Sequence, residues 1–348
     1  MKMRRRCSEK WLLPITSATF ASILAATLVS CVGDASSGDA ITGDASTDRS
    51  LIDSANDGSP PDSANDGATL DGGSPDTGSK ARCDPTMAFD NPSPVSELNT
   101  SGLDARMRLT GDGLTAYWQS DRLSGDAGPY PGQVLFSAQR STSTGVFGSI
   151  APVFPSNMTS ANFGGAVSGD NLVLLFGVSE VPGGFDIFSS SRTTVTVAFA
   201  NIAAVTTLNS NNSDVNLYLL PDQAAVYFSS DRATANTNHL YRSVDVNGTF
   251  STPVELTEFI SAGGEDNATV TPDELTLYFS KANHIYEAHR TLKTASFGPP
   301  SEVTALSSAG GEFPSWISPD NCEIYFTSAR PGTGGLDLYR ALRKGATK

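Results

Sequence analysis

The sequence has few of the residues on which enzyme chemistry most often depends. Only three histidines are present in 348 residues, and charged residues make up 17%. No HExxH, GxSxG or paired-cysteine metal motif occurs, so none of these familiar catalytic sites is indicated. Basic residues are also scarce, with 23 Lys and Arg against 37 Asp and Glu and a net charge of -14. This excess of acidic residues excludes a general affinity for nucleic acid and favours a basic partner.

The first thirty residues are predicted to be a signal peptide. A basic start at Lys2 and residues 4–6 precedes an apolar stretch that runs from Trp11 to Ser30 and leads into Cys31 as the sequence LVSC. Small residues before the cysteine fit a lipoprotein signal-peptidase cleft, so Cys31 is expected to be lipidated. The alternative is an ordinary secretory signal with Cys31 unmodified. We expect export and a membrane anchor, on the periplasmic or cell-surface face, with the outer membrane preferred.

Residues 31–82 are predicted to be a disordered tether behind the lipidated cysteine. This segment consists almost entirely of Asp, Gly, Ser, Ala, Thr and Pro, and it contains the near-duplicate DSANDGSPPDSANDGAT. Such a composition cannot bury enough apolar area to fold, and its repeated aspartates repel one another. The tether is therefore expected to hold the folded part, residues 83–348, away from the lipid surface.

One pattern recurs five times along the folded part. Each copy has a Gly-Asp or Pro-Asp turn and then a short strand with a bulky pair at the fifth and sixth positions after the aspartate. The copies read GDGLTAYW, GDNLVLLF, PDQAAVYF, PDELTLYF and PDNCEIYF, with turn aspartates Asp112, Asp170, Asp222, Asp273 and Asp320. By subtraction, the copies are 58, 52, 51 and 47 residues apart. This spacing is that of a propeller blade.

Each copy also supplies the other strands of a blade. A second alternating strand follows about fifteen residues on, as is typical of a half-buried sheet. It reads VLFSAQR, DIFSSSR, HLYRSVD, HIYEAHR or DLYRALR. A further strand such as FSTPVEL, from Phe250, and the strand leading into the turn complete the set. The predicted fold is an all-β propeller of five four-stranded blades, with six blades as the alternative.

The ends of the repeat region predict how the ring closes. The first copy is preceded by FDNPSPV from Phe89, which matches the outer strand, whereas the last copy stops at DLYRALR without one. The N-terminal strand is therefore expected to complete the last blade, which removes exposed sheet edges. Closure of this kind also brings Cys83 near Cys322. We predict a disulfide between them, as suits an exported chain.

These motifs resemble the TolB-type propeller repeat, a relative of the WD repeat. That repeat has an acidic residue, then Pro-x-hydrophobic-Ser-Pro-Asp, Leu-Tyr-Phe-Ser-Ser-x-Arg and Asp-hydrophobic-Tyr. The segment GEFPSWISPDNCEIYFTSARPGTGGLDLYRA, from Gly311 to Ala341, matches nearly throughout. The second copy departs most, with Leu175 for the Tyr and Glu180 for the Arg. The resemblance covers about residues 88–343. It implies a binding platform, and proteins built this way are commonly six-bladed.

An acidic position recurs eight residues before each turn aspartate, and it is expected to ring one mouth of the channel. It is occupied by Asp104, Asn162, Asp214, Glu265 and Glu312. Three copies carry an arginine ten residues after the turn aspartate: Arg122, Arg232 and Arg330. These arginines predict structural ion pairs with the acids. A cation or basic-ligand site at the channel mouth is the alternative interpretation.

The sequence therefore favours a binding protein over an enzyme. The first hypothesis is a lipid-anchored, monomeric propeller that needs no cofactor and recognises a protein or cell-wall partner without catalysis. The second hypothesis is a carbohydrate-active hydrolase or lyase that uses the channel carboxylates. In a hydrolase the catalytic acids break the repeat symmetry, whereas these acids repeat with the blades. Whether a metal occupies the channel stays open.

Overall fold

Each sequence repeat folds as one antiparallel sheet. The computed structural model describes residues 82–122, 133–154, 162–180, 184–332 and 335–346. The predicted signal peptide, Cys31 and all of the predicted tether except Arg82 lie outside these ranges. Almost all regular structure within them is β, apart from two short 3₁₀ turns at Thr257–Phe259 and Thr304–Leu306. No helix in the described ranges is long and apolar enough to cross a membrane.

The strands follow one another along the chain in five groups, after a short first strand, β1 (Ser93–Pro94). Blade one contains β2 (Asp104–Leu109), β3 (Thr115–Ser120), β4 (Val134–Gln139) and β5 (Gly148–Pro152). Blade two contains β6 (Asn162–Val167), β7 (Val173–Glu180), β8 (Gly184–Ser191) and β9 (Ala200–Ala204). Blade three contains β10 (Asp214–Leu219), β11 (Ala225–Ser230), β12 (His239–Val246), β13 (Thr249–Phe250) and β14 (Val254–Glu255).

Blades four and five complete the ring. Blade four contains β15 (Glu265–Val270), β16 (Thr276–Lys281), β17 (His284–His289) and β18 (Ser301–Glu302). Blade five contains β19 (Glu312–Ile317), β20 (Glu323–Ser328) and β21 (Asp337–Leu342). The first strands of the blades, β2, β6, β10, β15 and β19, contact one another around the centre. The fold is a five-bladed β-propeller, so five blades rather than six are present.

The N-terminal strand closes the ring, as predicted. β1 pairs antiparallel with β21, so that Ser93 lies opposite Arg340, and the fifth sheet has the order β1-β21-β20-β19. An isolated bridge between Phe89 and Arg343 extends this pairing. The last blade is thus assembled from both ends of the folded part, and its outer edge is covered.

Blade three departs from the predicted four strands. Its outer strand is split, so that β12 pairs both with β13, next to its end, and with β14 farther back. Pro253 lies between the two pieces and has no backbone N–H to donate to the ladder. Ser251 fills the gap, because its N–H donates to the Val244 carbonyl at 2.8 Å and its carbonyl accepts from Ser243 Oγ.

The bulky pairs of the repeat form the core between blades. Every member has an exposed fraction of 2% or less: Tyr117, Trp118, Leu175, Phe176, Tyr227, Phe228, Tyr278, Phe279, Tyr325 and Phe326. Successive residues of a strand point to opposite faces, so each pair packs against both neighbouring blades. Burial of this much aromatic and aliphatic surface is the main favourable contribution to folding.

Candidate functional site

The acidic position of the repeat begins the inner strand of every blade. Asp104, Asn162, Asp214, Glu265 and Glu312 are the first residues of β2, β6, β10, β15 and β19. The four acids among them have exposed fractions of 1% or less. The side chain of Asn162, and that of Glu180 at the arginine position of the same blade, lie outside the described part of the chain. The carboxylates are therefore closed to solvent rather than displayed at an open channel mouth.

Three of these acids form ion pairs with the arginine of their own blade. The arginine Nη2 lies 3.0 Å from Asp104 Oδ1 in blade one, 2.5 Å from Asp214 Oδ1 in blade three and 3.2 Å from Glu312 Oε1 in blade five. The partners are Arg122, Arg232 and Arg330, with exposed fractions of 15%, 19% and 15%. Pairing at this depth keeps both charges from being buried alone.

Blade five shows the complete environment of such an arginine. Arg330 Nε donates to Ser328 Oγ at 3.0 Å, and its Nη2 also donates to the Leu306 carbonyl at 2.5 Å. The guanidinium lies over the rings of Phe326 and Tyr339, 5.2 and 4.9 Å from their centroids. Arg122 and Arg232 have the same kinds of contact in blades one and three. The arginine thus locks the inner strand to the loop before it.

A hydroxyl four residues before the acid completes this arrangement. Thr100 donates its backbone N–H and its hydroxyl to Asp104 Oδ2, at 2.6 and 2.8 Å. Ser210 does the same for Asp214, at 2.6 and 2.9 Å. Ser308 donates its hydroxyl to Glu312. The lone pairs of these acids are therefore used inside the blade, which leaves them little capacity for a ligand.

Glu265 in blade four is the exception. It is 1% exposed, and neither carboxylate oxygen has a partner at hydrogen-bond distance. Burial raises the pKa of this carboxyl; the nearby Ser261, at the hydroxyl position, and the charges of Lys281 and His239 offset that rise only in part. A buried acid without a partner favours its neutral form. Blade four therefore carries the acid of the repeat without the ion pair.

The loop between β16 and β17 explains the missing arginine. Lys281 pairs with His284, so the two strands are joined by a two-residue turn at Ala282 and Asn283. Both turn residues have positive φ, 50° and 66°, as a tight hairpin requires. Asn283 stands at the arginine position, and its carbonyl accepts from the Glu312 N–H at 2.8 Å. The shortened loop leaves no place for an arginine of the kind seen in blade five.

The turn aspartates have a structural role in all five copies. In each turn an aspartate Oδ1 accepts the N–H of the residue two positions on, at 2.9–3.1 Å: Asp112, Asp170, Asp222, Asp273 and Asp320. These are Asx turns, which hold the entry to the second strand. At Asp320, burial opposes ionisation, but hydrogen bonds from Arg82 and Ser318 lower the pKa to about 2.

A second network joins blades through the tyrosines of the bulky pairs. The Tyr278 hydroxyl donates to Asn321 Oδ1, in the turn of the next blade, at 2.8 Å, and accepts from Arg343 at 2.5 Å. Tyr117 bonds to Asn171 at 2.7 Å in the same way. Sequence reasoning missed this role for the arginine that ends the third strand. Its recurrence as Arg140, Arg192, Arg290 and Arg343 was the available signal.

Tyr227 reaches a carboxylate instead of an amide in this network. Its hydroxyl donates to Glu274 at 2.7 Å, and Arg242 and Arg290 donate to the same carboxylate at 2.7 and 3.3 Å. Burial acts to raise the pKa of Glu274, but the hydrogen bonds from Arg242 and Tyr227 outweigh it and lower the pKa. Glu274 is therefore an ionised, fully bonded interblade residue and offers no general acid or base.

The two cysteines of the predicted disulfide and two of the histidines also have structural contacts. Cys83 and Cys322 form a disulfide, with their Cα atoms 5.7 Å apart. His239 Nδ1 lies 2.5 Å from Glu255, and His284 Nδ1 lies 3.4 Å from Glu312. Across the part of the chain that the structure describes, no three His, Cys, Asp or Glu side chains are grouped to hold a metal ion.

An open groove runs between blades two and three. It encloses about 860 Å³ and is bordered by β7, β8 and β9 on one side and by β10, the turn before β11 and the β12–β13 hairpin on the other. Its lining is rich in hydroxyls, including Ser189, Ser191 and Thr207, with apolar surface from Ala204 and Phe250. This volume falls in the range of ligand-binding clefts.

The groove is also acidic. Its described lining contains the carboxylates of Asp222 and Asp245 and no lysine or arginine. A surface of this kind repels anions and accepts basic or uncharged polyhydroxylated groups. Sequence reasoning did not find it, because it arises between repeats rather than within one.

Comparison with known proteins gives likeness of fold. No protein-family model matches the chain, and no curated protein matches it by sequence. Among solved structures, TolB from Acinetobacter baumannii is 16% identical, with a TM-score of 0.47 over 72% of this chain and 57% of that protein. This chain thus spans little more than half of that TolB.

Two enzymes are similar to the same degree. An oligogalacturonate lyase in complex with manganese is 14% identical, with a TM-score of 0.41 over 70% of this chain and 66% of the lyase. A thermostable family-43 glycoside hydrolase is 12% identical, with a TM-score of 0.46 over 71% of this chain and 95% of the hydrolase. Proteins on one fold serve many functions, so function has to be argued from the site.

Proposed function

We propose that this protein is an exported, lipid-anchored propeller that binds a protein or cell-envelope partner without catalysing a reaction. The groove between blades two and three is the observation that carries the proposal. Its size suits a peptide segment or a few sugar units, and its hydroxyls and two carboxylates suit a basic or polyhydroxylated surface. The net charge of -14 means that the chain as a whole also favours a basic partner.

The state of the repeated acids supports binding over catalysis. A glycosidase needs two carboxyl groups about 5 to 10 Å apart on either side of a substrate. Asp104, Asp214 and Glu312 are instead buried and neutralised by arginines of their own blades. Ion pairs of this kind organise strand ends and present nothing to a sugar.

The test is co-sedimentation of the full-length protein with purified cell-wall sacculi, alongside binding of a fluorescent Lys- and Arg-rich peptide. Ala204→Trp fills the groove from the exposed strand β9. Ala151→Trp, on the exposed strand β5 of blade one, is the matched control. We expect Ala204→Trp to weaken binding to one probe at least tenfold and Ala151→Trp to leave it unchanged. Equal binding by both variants would contradict the groove.

A lipid anchor at Cys31 has its own test. Cys31→Ser should abolish incorporation of labelled palmitate into the protein, since the acyl chains are attached at this cysteine. Incorporation of label into the variant would contradict lipidation at Cys31. Mass spectrometry of the purified N-terminal peptide identifies the modification directly.

A carbohydrate-active hydrolase or lyase is the second candidate, and one observation favours it. Glu265 is an unpaired, buried carboxyl with a raised pKa, which is the condition of a general acid. Assay of the full-length protein against acidic and neutral polysaccharides, for new reducing ends and for unsaturated products, tests it. Turnover that disappears in Glu265→Gln would establish the enzyme and overturn the binding proposal.

A further inference from the structure

The fifth residues of the inner strands lie at one level of the central channel. They are Arg108, Ala166, Tyr218, Thr269 and Trp316, each four positions after the acidic residue of its blade. Arg108, Ala166, Tyr218 and Trp316 border a small cavity. Four blades therefore contribute to one cavity in the channel, and Arg108 is the only charged side chain among its described lining residues.

Arg108 is buried with one donor group unused. It is 4% exposed, and its Nε donates to the Leu217 carbonyl at 3.0 Å. Its Nη2 reaches the Ala268 carbonyl at 3.5 Å, whereas its buried Nη1 has no hydrogen-bond partner. The guanidinium lies 5.4 Å from the centroid of the Tyr218 ring. Two carbonyls and a ring face hold the group in place without neutralising it.

No carboxylate compensates this charge. Arg108 takes part in no ion pair with the described residues, in contrast to Arg122, Arg232 and Arg330. Asp266 is the carboxylate whose charge acts on the neighbouring Arg106, and it accepts hydrogen bonds from Asn216 at 2.6 Å and Asn238 at 3.3 Å. Burial and the like charge of Arg106 lower the pKa of Arg108 to about 9, so the group stays cationic at neutral pH.

Burying a cation without a counter-ion costs free energy of folding, and no ion pair with a described residue offsets this cost at Arg108. Tyr218, a neutral hydroxyl donor, borders the same cavity. Burial raises the pKa of Tyr218 to about 12, with partial offset from Arg108 and Thr269, so its phenol remains a protonated donor. A cationic donor and a neutral donor thus border the cavity.

The cavity beside them has the size of a single ion. Its free volume of about 10 Å³ is enough for one water molecule or one ion of similar size. Water can fill such a space but cannot neutralise the guanidinium. We propose that the channel binds one small inorganic anion of halide size, held by Arg108 Nη1 with the hydroxyl of Tyr218. This site is independent of the groove between blades two and three.

Thermal unfolding of the full-length protein in sodium chloride and in sodium gluconate of equal ionic strength tests the proposal. Binding to the folded state alone should raise the Tm by about 3–5 °C for each tenfold increase of chloride above its dissociation constant. Arg108→Met should abolish the difference between the salts. Arg140→Met is the matched control, because Arg140 is buried but already bonded to the Gly113 carbonyl and Tyr325. It should keep the chloride effect.

A second measurement holds even if Arg108→Met does not fold. Crystals of the full-length protein grown in sodium bromide should show anomalous scattering within about 3.5 Å of Arg108 Nη1. Tyr218→Phe should weaken the chloride dependence at least threefold. Equal Tm in the two salts, an unchanged chloride effect in Arg108→Met, or a channel without bromide at Arg108 would each overturn the proposal in favour of water.

Discussion

Blades four and five carry the same acid of the repeat in opposite conditions. Glu312 in blade five is bonded by Arg330 at 3.2 Å and also by Ser308, whereas Glu265 in blade four has no partner at hydrogen-bond distance. The two blades otherwise share the stacked aromatic pairs, Phe326 with Tyr339 and Phe279 with Tyr286. The repeat thus keeps its hydrophobic frame when the ion pair is lost, so this ion pair is not required to form a blade.

The largest expected effect comes from the disulfide that only blade five has among the described blades. Cys83→Ser or Cys322→Ser should lower the free energy of unfolding by about 4 kcal/mol, because the bridge closes a loop of more than two hundred residues. Guanidinium unfolding with and without reductant measures it. Hydrogen exchange should show the lost protection in blade five, with blade four unchanged at first. Equal stability of reduced and oxidised protein would contradict this assignment.

Converting blade five to the condition of blade four should have the next largest effect. Arg330→Met leaves Glu312 buried without its arginine, which should cost about 3 kcal/mol at neutral pH. Ser308 and His284 are among the neighbours that remain to this carboxylate. The double variant Arg330→Met with Glu312→Gln should recover more than half of this loss, since it buries no charge. Urea unfolding of the three proteins forms the comparison. A loss in the double variant as large as in Arg330→Met would show that the arginine acts through packing.

Glu265→Gln should be stabilising, opposite to the same change in blade five. The folded pKa of Glu265 is raised above its ordinary value of 4.5, so the protonated form is favoured in the fold. Stability of the wild type is therefore full below about pH 4.5 and is lost as the pH rises through the folded pKa. The variant should gain about 1–2 kcal/mol at neutral pH and nothing at pH 4.

Glu312→Gln is the control for that prediction. It removes the charge that neutralises Arg330 and should destabilise at neutral pH. A pH series of urea midpoints from 4 to 8 separates the two variants. If Glu265→Gln destabilised at pH 7 as Glu312→Gln does, the carboxylate of blade four would have to be bonded in solution.

The smallest effect is expected at the junction between the two blades. Tyr278→Phe removes the hydroxyl that links blade four to Asn321 and Arg343 of blade five. Loss of these hydrogen bonds should cost about 1 kcal/mol and lower the Tm by about 2–4 °C. The variant Tyr286→Phe, at a partly buried position of blade four, should change the Tm by less than half as much. Equal shifts would contradict a role at the junction.

The sequence was enough to predict the architecture because the repeat encodes it in short-range signals. The turn aspartates and the bulky pairs have fixed spacing, and burial of both members of each pair follows from strand alternation. The unmatched outer strand at Phe89 predicted closure of blade five. The split outer strand of blade three was missed, although Pro253 marked the break.

The candidate sites depend on contacts between residues of different repeats, and such contacts were harder to predict from the sequence. The loss of the arginine in blade four was visible as Asn283, but the short turn that removes its place was recognised only in the structure. The repeat pattern does not single out Arg108, because the other copies have no charged residue at its position. It faces the channel because a bulge interrupts the register between Ala105 and Arg108, with Arg106 at a φ of 56°. The groove forms between two neighbouring blades, so no single repeat of the sequence indicates it.

The position of Cys83 decides how the propeller responds to a mechanical load. Nine residues separate Cys83 from β1, and the disulfide ties it to Cys322 just before β20. A pull applied to the chain on the N-terminal side of Cys83 passes through a covalent bond into blade five before it reaches the short β1–β21 pairing. This ladder of two residue pairs therefore lies outside the force path, and reduction of one disulfide would expose it to the load.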